Sequence, residues 1–243
     1  MISLVITNYN RSDLVIEAFS KVLNNDYINE ILIVDDCSDI NIFNKLKDLI
    51  NNLKNEKIKL IRNEKNLKPF LNKCNSIKQA KNEWVILLDS DNILDNDYID
   101  KIKNLKNIDK NTVYVPEKLM RENFIGWDYS SLKNKIINKD NVKYYYHTQP
   151  YSGIIDTLLN TGNYFINRDE HVKATSNINI DESLSVNDAL YFSFLWLSTG
   201  NNIFVVDDLK YYHRVHQGSW YINNMSGCQY SSKRIAEKIN VMI

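Results

Sequence analysis

Apolar and polar positions alternate between two periods over the first 90 residues of the chain, and each apolar run ends in a polar step. Residues 2–7 (Ile-Ser-Leu-Val-Ile-Thr) read as a buried strand. From about Ser12, Leu14, Val15, Ala18, Phe19, Val22 and Leu23 recur at helical spacing, with Ser12 or Asp13 able to cap. Residues 30–34 form a second apolar run, ending at Asp35-Asp36, and Phe43, Leu46, Leu49, Ile50 and Leu53 mark a second helix. Residues 57–61 alternate like an edge strand. A third helix follows Pro69, with Phe70, Cys74 and Ile77 on one face. Residues 84–88 then give five apolar positions in succession, a strand buried on both faces, stopping at Asp89-Ser90-Asp91-Asn92.

Strand and helix therefore alternate, with connections so short that right-handed crossovers onto a parallel sheet are the expected solution. In such sheets ligands sit outside the carboxyl ends of the strands. Thr7-Asn8, Asp35-Asp36 and Asp89 to Asp91 all fall at those ends, so three polar clusters should meet at one rim. In an extended chain residues i and i+2 project to the same side, which lets Asp89 and Asp91 converge on one hard cation. Read alone, Asp-Ser-Asp-Asn is equally a polar turn leaving a strand.

Beyond Asp91 the pattern loosens. Residues 95–105 suggest a helix with Tyr98, Ile99, Ile102 and Leu105 inward, and 112–116 a strand. Residues 121–161 hold Trp127, Tyr129, Tyr144, Tyr145, Tyr146 and Tyr151 with little periodicity, and no element is assigned there. A short strand is expected over 163–167, a helix over 188–197, strands over 202–206 and 209–215, and a helix over 229–243 with Ile235 and Ile239 on one side. Linker-like composition and internal repeats are absent, so any domain division is soft.

Composition narrows the chemistry. Thirty basic and thirty acidic residues cancel over 243 positions, and the basic ones are dispersed, which argues against a nucleic-acid footprint. Cys37, Cys74 and Cys228 lack metal-ligand spacing and suit free thiols in a reducing compartment, so a cytoplasmic location is expected. The sequence opens without a basic leader region, and the apolar run 189–197, broken by Ser193, is too short for a membrane span. All six glycines lie at Gly126 or later, so neither a Gly-x-Gly-x-x-Gly turn nor a phosphate-binding loop is available near the rim. A phosphorylated ligand there would have its charge met by a metal on Asp89 and Asp91, which points to a nucleoside diphosphate with a divalent ion.

Five segments together resemble a known family: Thr-Asn-Tyr-Asn-Arg after the first strand, Val-Asp-Asp-Cys-Ser after the second, Asn-Glu-Lys-Asn-Leu, Leu-Leu-Asp-Ser-Asp-Asn, and the distal Tyr-Tyr-His-Arg-Val-His-Gln-Gly-Ser. They are similar to the family 2 glycosyltransferases of the GT-A fold, most clearly over residues 1–95. The resemblance implies an α/β fold of the GT-A type, an α/β/α sandwich with a mostly parallel central sheet. It implies one continuous domain, with 1–95 as the nucleotide-sugar-binding half and 96–243 as the acceptor-binding half.

On matching positions, the resemblance assigns Thr7, Asn8 and Asn10, with Asp35 or Asp36, to the base and ribose of a nucleotide sugar. It assigns Asp89 to the ribose or the metal, Asp91 to the metal, His216 to the completed metal shell, and Arg214 or Ser219 to the diphosphate. An imidazole among oxygen ligands tilts the ion toward Mn²⁺ over Mg²⁺. Two departures stand out. The glycine-containing loop near the donor is here Asn66-Leu67-Lys68-Pro69, where Lys68 or Lys73 would supply charge instead. The paired acids that start the acceptor-side helix are Asn187-Asp188, leaving Asp188 as the general base, with Asp181 and Glu182 as rivals.

The expected function is a metal-dependent, inverting transfer of sugar from a nucleotide-diphosphate donor, a UDP-sugar foremost, to an acceptor hydroxyl of a glycan or other molecule. The alternative is a non-catalytic module that keeps the nucleotide cleft without turnover. Trp220 would belong to a loop closing over the donor, and Trp127 with the tyrosines could stack on sugar rings or simply fill core. His213 is a lesser candidate beside His216. The sugar, the acceptor and the oligomeric state are left open. All of this requires Asp91 and His216, far apart in the chain, to lie close enough to share one ion.

Overall fold

The computed structural model describes residues 1–121, 124–176, 178–214 and 216–242. The apolar runs become strands because burial on both faces favours continuous Val, Ile and Leu. These strands are β1 (Ile2–Asn8), β2 (Ile28–Asp35) and β4 (Trp84–Asp89), with the less buried β3 (Ile58–Arg62) at the sheet edge. Between them lie α1 (Ser12–Phe19), α2 (Ile40–Leu53) and α3 (Lys68–Gln79). Asp39 caps α2 by accepting the Asn41 N–H, and Pro69 in the first turn of α3 loses no helical hydrogen bond.

The second half continues the same sheet. It runs α4 (Asn96–Lys103), β5 (Thr112–Arg121), β6 (Phe124–Asp128), β7 (Ile136–Ile137), α5 (Val142–His147), α6 (Ile154–Leu159), β8 (Tyr164–Asn167) and α7 (Arg168–Thr175). It closes with α8 (Glu182–Ser185), α9 (Asp188–Ser198), β9 (Asn202–Tyr212), α10 (Trp220–Asn223) and α11 (Met225–Asn240). Strand order is β3-β2-β1-β4-β8-β5-β9-β7, with β6 paired to β5. The pairs β1–β2, β1–β4, β2–β3 and β5–β9 are parallel, while β8 runs against both of its neighbours. The mostly parallel α/β sandwich is thus as expected. Among the described residues, no helix is long and apolar enough to cross a membrane.

Four differences from the sequence reading are seen, the first three with a physical cause. Strand β5 passes Pro116, expected to end it, because the ladder to β9 shifts register between Pro116 and Lys118, where a missing N–H is tolerated. The two strands expected over 202–206 and 209–215 are one. The exposed Asp207-Asp208 pair forms a bulge, with Asp208 at φ 56 and its N–H donated to Glu117 Oε2, so pairing resumes beyond it. Residues 121–161, left without elements, hold β6, β7, α5 and α6, too short for periodicity to register. The last helix starts at Met225 instead of 229. The expected ends at Val215 and Ile243 lie outside the described residues.

Candidate active site

Register brings the acidic steps together. In the parallel ladders Asn8 pairs with Asp35 and Thr7 with Asp89, so the carboxyl ends of β1, β2 and β4 form one rim. Because β8 is antiparallel to β4, the residues preceding β8 arrive at that same rim, and Asn163 Oδ1 accepts the Asp89 N–H at 2.7 Å. A cavity of about 1240 Å³ opens there, lined by Thr7, Asn8, Asn10, Arg11, Asp36, Lys73, Asp89, Asp91, Asp188, His216 and Trp220, among others.

At the inner end, Lys73 of α3 lies between two carboxylates, 2.8 Å from Asp89 Oδ1 and 2.7 Å from Asp188 Oδ2. Burial opposes the charge on Lys73, but Asp188 and then Asp89 outweigh it and raise the ammonium pKa, so it stays cationic. The Asp89 carboxyl is raised, first by burial, with Lys73 opposing and Asp91 and Asp188 adding to the rise. Asp89 keeps 26% side-chain exposure, toward the cavity, while protein surrounds its other sides. Thr7 Oγ1 donates to the same Asp89 oxygen at 3.3 Å. Gly162 permits the packing: a Cβ there would lie 3.0 Å from both Asp89 Oδ2 and Lys73 Nζ.

At the outer end, Asp91 Oδ2 is 2.9 Å from Arg11 Nη1 and 3.0 Å from His216 Nε2. The expected meeting of Asp91 with His216 is present, across 125 positions of sequence. Asp89 does not join that pair, because Lys73 draws it into the inner cluster; no group of three or more metal-type side chains assembles among the described residues. Asp91 and His216 nonetheless suit part of an ion's shell: a carboxylate oxygen and an imidazole nitrogen, with the remaining positions open to substrate phosphates and water. One adjustment is required. Gly218 N–H donates to His216 Nδ1 at 3.1 Å, which places the ring proton on Nε2, and that nitrogen must shed it to take a metal.

The remaining expected residues divide. Asp36 lines the cavity, accepts from Asn63 Nδ2 at 2.9 Å and from the Leu67 N–H at 2.8 Å, and has its pKa raised by burial. Asp35 corrects the expectation: fully buried, it accepts from Asn8, Ser38 and the Ser38 N–H and faces Arg62, so its oxygens hold loops together and it does not line the cavity. Lys73 also corrects the expectation, since its ammonium neutralises two acids instead of standing free for a diphosphate. Asn8 and Asn10 line the cavity; Asn10, at φ 54, links the loop after β1 to Ser38 and Asp39.

On the C-terminal loop, Arg214 lines the cavity with its guanidinium 2.6 Å from Glu17, Ser219 precedes α10, and Trp220 Nε1 donates to Val186 O at 2.8 Å. Trp220 thereby ties this loop to the segment carrying Asp188. The rivals Asp181 and Glu182 sit in α8 and its cap outside the cavity lining, with Asp181 lowered first by its Ser183 hydrogen bond. Lys68 stands at φ 65, the region glycine favours, in the loop where a glycine was missing. His213 lines the cavity and is lowered by burial.

Sequence reasoning missed Arg11, Gly162 and Asn163. Arg11 was legible only as the last residue of Thr-Asn-Tyr-Asn-Arg, and the others depend on strand pairings that no local pattern announces.

Comparison with solved structures identifies the fold. S. aureus TarS 1–349 in complex with UDP is similar at a TM-score of 0.65 and 19% identity, over 98% of this chain and 64% of that one. The mannosyltransferase PcManGT from Pyrobaculum calidifontis, in complex with GDP-Man and Mn²⁺, is similar at 0.65 and 11%, over 98% and 64%. GalNAc-T7 with UDP, GalNAc and Mn²⁺ is similar at 0.61 and 17%, over 90% and 44%. The chain spans less than two thirds of each. A search of curated proteins gives no match. The architecture is that of the GT-A fold. The sequence model of glycosyl transferase family 2 matches residues 3–173, and the chain belongs to that family.

Proposed function

We propose that the chain transfers a sugar from a nucleotide-diphosphate donor, a UDP-sugar foremost, to an acceptor hydroxyl with inversion at the anomeric carbon. The observation that carries this reading is the cavity in which the Asp91–His216 pair and the Lys73-bound Asp188 both stand. UDP bound to TarS and to GalNAc-T7 supports the uridine donor, and GDP-Man bound to PcManGT is the nearest competing donor.

In this reading Asp36 accepts the imide hydrogen of the base, which suits a carboxylate as acceptor. The acceptor hydroxyl attacks the anomeric carbon from the face opposite the diphosphate, and Asp188 takes its proton as general base. Lys73 holds that carboxylate in place and balances its charge. Arg11 and Arg214 supply positive charge where the diphosphate departs. A divalent ion on Asp91 and His216, when bound, would add Lewis-acid stabilisation of the leaving group.

A second reading, a binding module without turnover, draws on Asn187. Where the resemblance expects an acid, Asn187 instead donates to Ser232 Oγ at 2.9 Å. A thermal-shift panel of nucleotide sugars with and without Mn²⁺, followed by transfer assays, separates the two. The enzyme reading expects a shift for one nucleotide and transfer that Asp188→Asn lowers by about 10²–10⁴-fold with donor binding retained. Donor binding without turnover across a broad acceptor panel would leave the module.

A further inference from the structure

The wall of the cavity built by β5, β6 and the end of β9 carries a cation that the mechanism above does not use. Arg121 closes β5, and its guanidinium carbon lies 4.5 Å from the centroid of the Trp127 ring. Gly126 makes room for it: a Cβ there would fall 2.9 Å from Arg121 Cγ and 3.1 Å from its Nε. The Trp127 face is therefore occupied in holding the guanidinium and is not free to stack on a sugar ring.

Of the other cations lining the cavity, Lys68 is exposed to water, and the rest have carboxylate partners: Arg11 has Asp91, Arg214 has Glu17, Lys45 has Asp13, and Lys73 has two acids. Arg121 differs. Its Nε is buried without a hydrogen-bond partner among the described residues, and no ion pair engages it there. Beside it His213, edge-on to Trp127 at 5.9 Å, buries an Nδ1 that is likewise unpartnered. Arg121, Trp127 and His213 all line the cavity that holds Asp188 and Asp91. A guanidinium donor withdrawn from water without an acceptor is costly, and the cost is recovered when a ligand brings an anion whose oxygens match its fork.

We propose that Arg121, with His213 beside it, forms a subsite for an anionic group, a carboxylate or a phosphate monoester, carried by the transferred sugar or by the acceptor and separate from the donor diphosphate. This rests on the glycosyltransferase reading and deepens it by naming a substrate class. Arg121 closes β5 and His213 follows β9, in the other half of the sheet from Asp36 after β2. A bridge from Tyr212 to Ile93 brings His213 close to Asp91, so the UDP arm of the test below is what distinguishes this anion from the diphosphate.

The test uses the full chain with Mn²⁺. Calorimetry compares UDP, UDP-glucose and UDP-glucuronate, and transfer assays compare neutral acceptor glycosides with the same glycosides bearing a carboxylate or a phosphate. Wild type is set beside Arg121→Met and Arg121→Lys. In one of the two arms the charged form is preferred by about tenfold or more, the preference disappears in Arg121→Met and partly returns in Arg121→Lys, while UDP affinity stays within about twofold. The responding arm identifies whether donor sugar or acceptor carries the charge. Equal use of charged and neutral forms by wild type in both arms overturns the proposal, whatever the variants' folding. So does a tenfold loss of UDP affinity in Arg121→Met, which would assign the cation to the diphosphate. If wild type binds no nucleotide, the glycosyltransferase reading falls and takes this one with it; UDP binding without any charge preference removes this one alone.

Discussion

Asp89 and Asp91 leave the same strand two residues apart, yet they belong to different parts of the molecule. Asp89 faces a lysine fixed in a helix and donates its own backbone N–H to Asn163 Oδ1, while Asp91 faces an arginine and a histidine supplied by loops. The inner carboxylate is set by packing: Lys73 is 11% exposed, and Gly162 leaves no room beside it. The outer one is set by two loop groups, both also hydrogen-bonded to the Gly218 backbone. Under the proposed function, Lys73, shared with Asp89, would hold Asp188 as the base, whereas Arg11 and His216 would yield to a diphosphate and its ion.

Removing the cation of each cluster breaks the comparison most directly. Lys73→Met strands two carboxylates against each other and should cost about 3 kcal/mol of stability, read as a lower denaturant midpoint at unchanged slope. A loss below about 1 kcal/mol would show that the inner cluster is no more than a surface pair.

Acid titration sharpens the inner side further. His171 of α7 is buried against Phe192 at a ring separation of 5.0 Å, and burial pushes its imidazole down to about 3. Its folded-state pKa is thus below the unfolded value of about 6.5, so the unfolded chain binds the extra proton and stability falls as pH drops from about 6.5 toward 3. His171→Phe should reduce the stability lost between pH 7 and pH 4.5 by about 2–3 kcal/mol, measured by denaturant melts at the two pH values. An unchanged pH dependence would mean the ring escapes its pocket before it titrates.

Arg11→Met gives the smallest effect, about 1 kcal/mol or less in stability, because Arg11 is the more exposed cation, 21% against 11% for Lys73, and Asp91 keeps His216 as a second partner. Its signature should be in donor affinity, with weaker nucleotide-diphosphate binding by calorimetry. A stability loss matching that of Lys73→Met would erase the distinction between the two acids.

Legibility followed locality. Strands β1, β2 and β4 were readable because apolar runs between polar steps admit few alternatives, and the convergence of Thr7, Asp36, Asp89 and Asp91 followed from the rule for parallel sheets. Asp35 and Asp36 stay interchangeable in the sequence because two adjacent aspartates look alike, while the alternation of the strand turns one into the protein and the other toward the cavity. Lys73 was misplaced because a lone lysine on a helix gives no sign of acids from β4 and α9. Arg121 was invisible for the same reason: its meaning comes from Gly126 and Trp127 across a hairpin.

The sequence by itself determined the α/β alternation, the acidic rim and the membership in glycosyl transferase family 2, because each is written in residues close together along the chain. Tertiary structure alone decided which acid meets which cation. That choice depends on the antiparallel entry of β8, on the approach of α9 to α3, and on the loop returning His216 to Asp91 across 125 positions. Charge pairing is fixed by distance in space, and the local pattern of a chain carries no record of that distance.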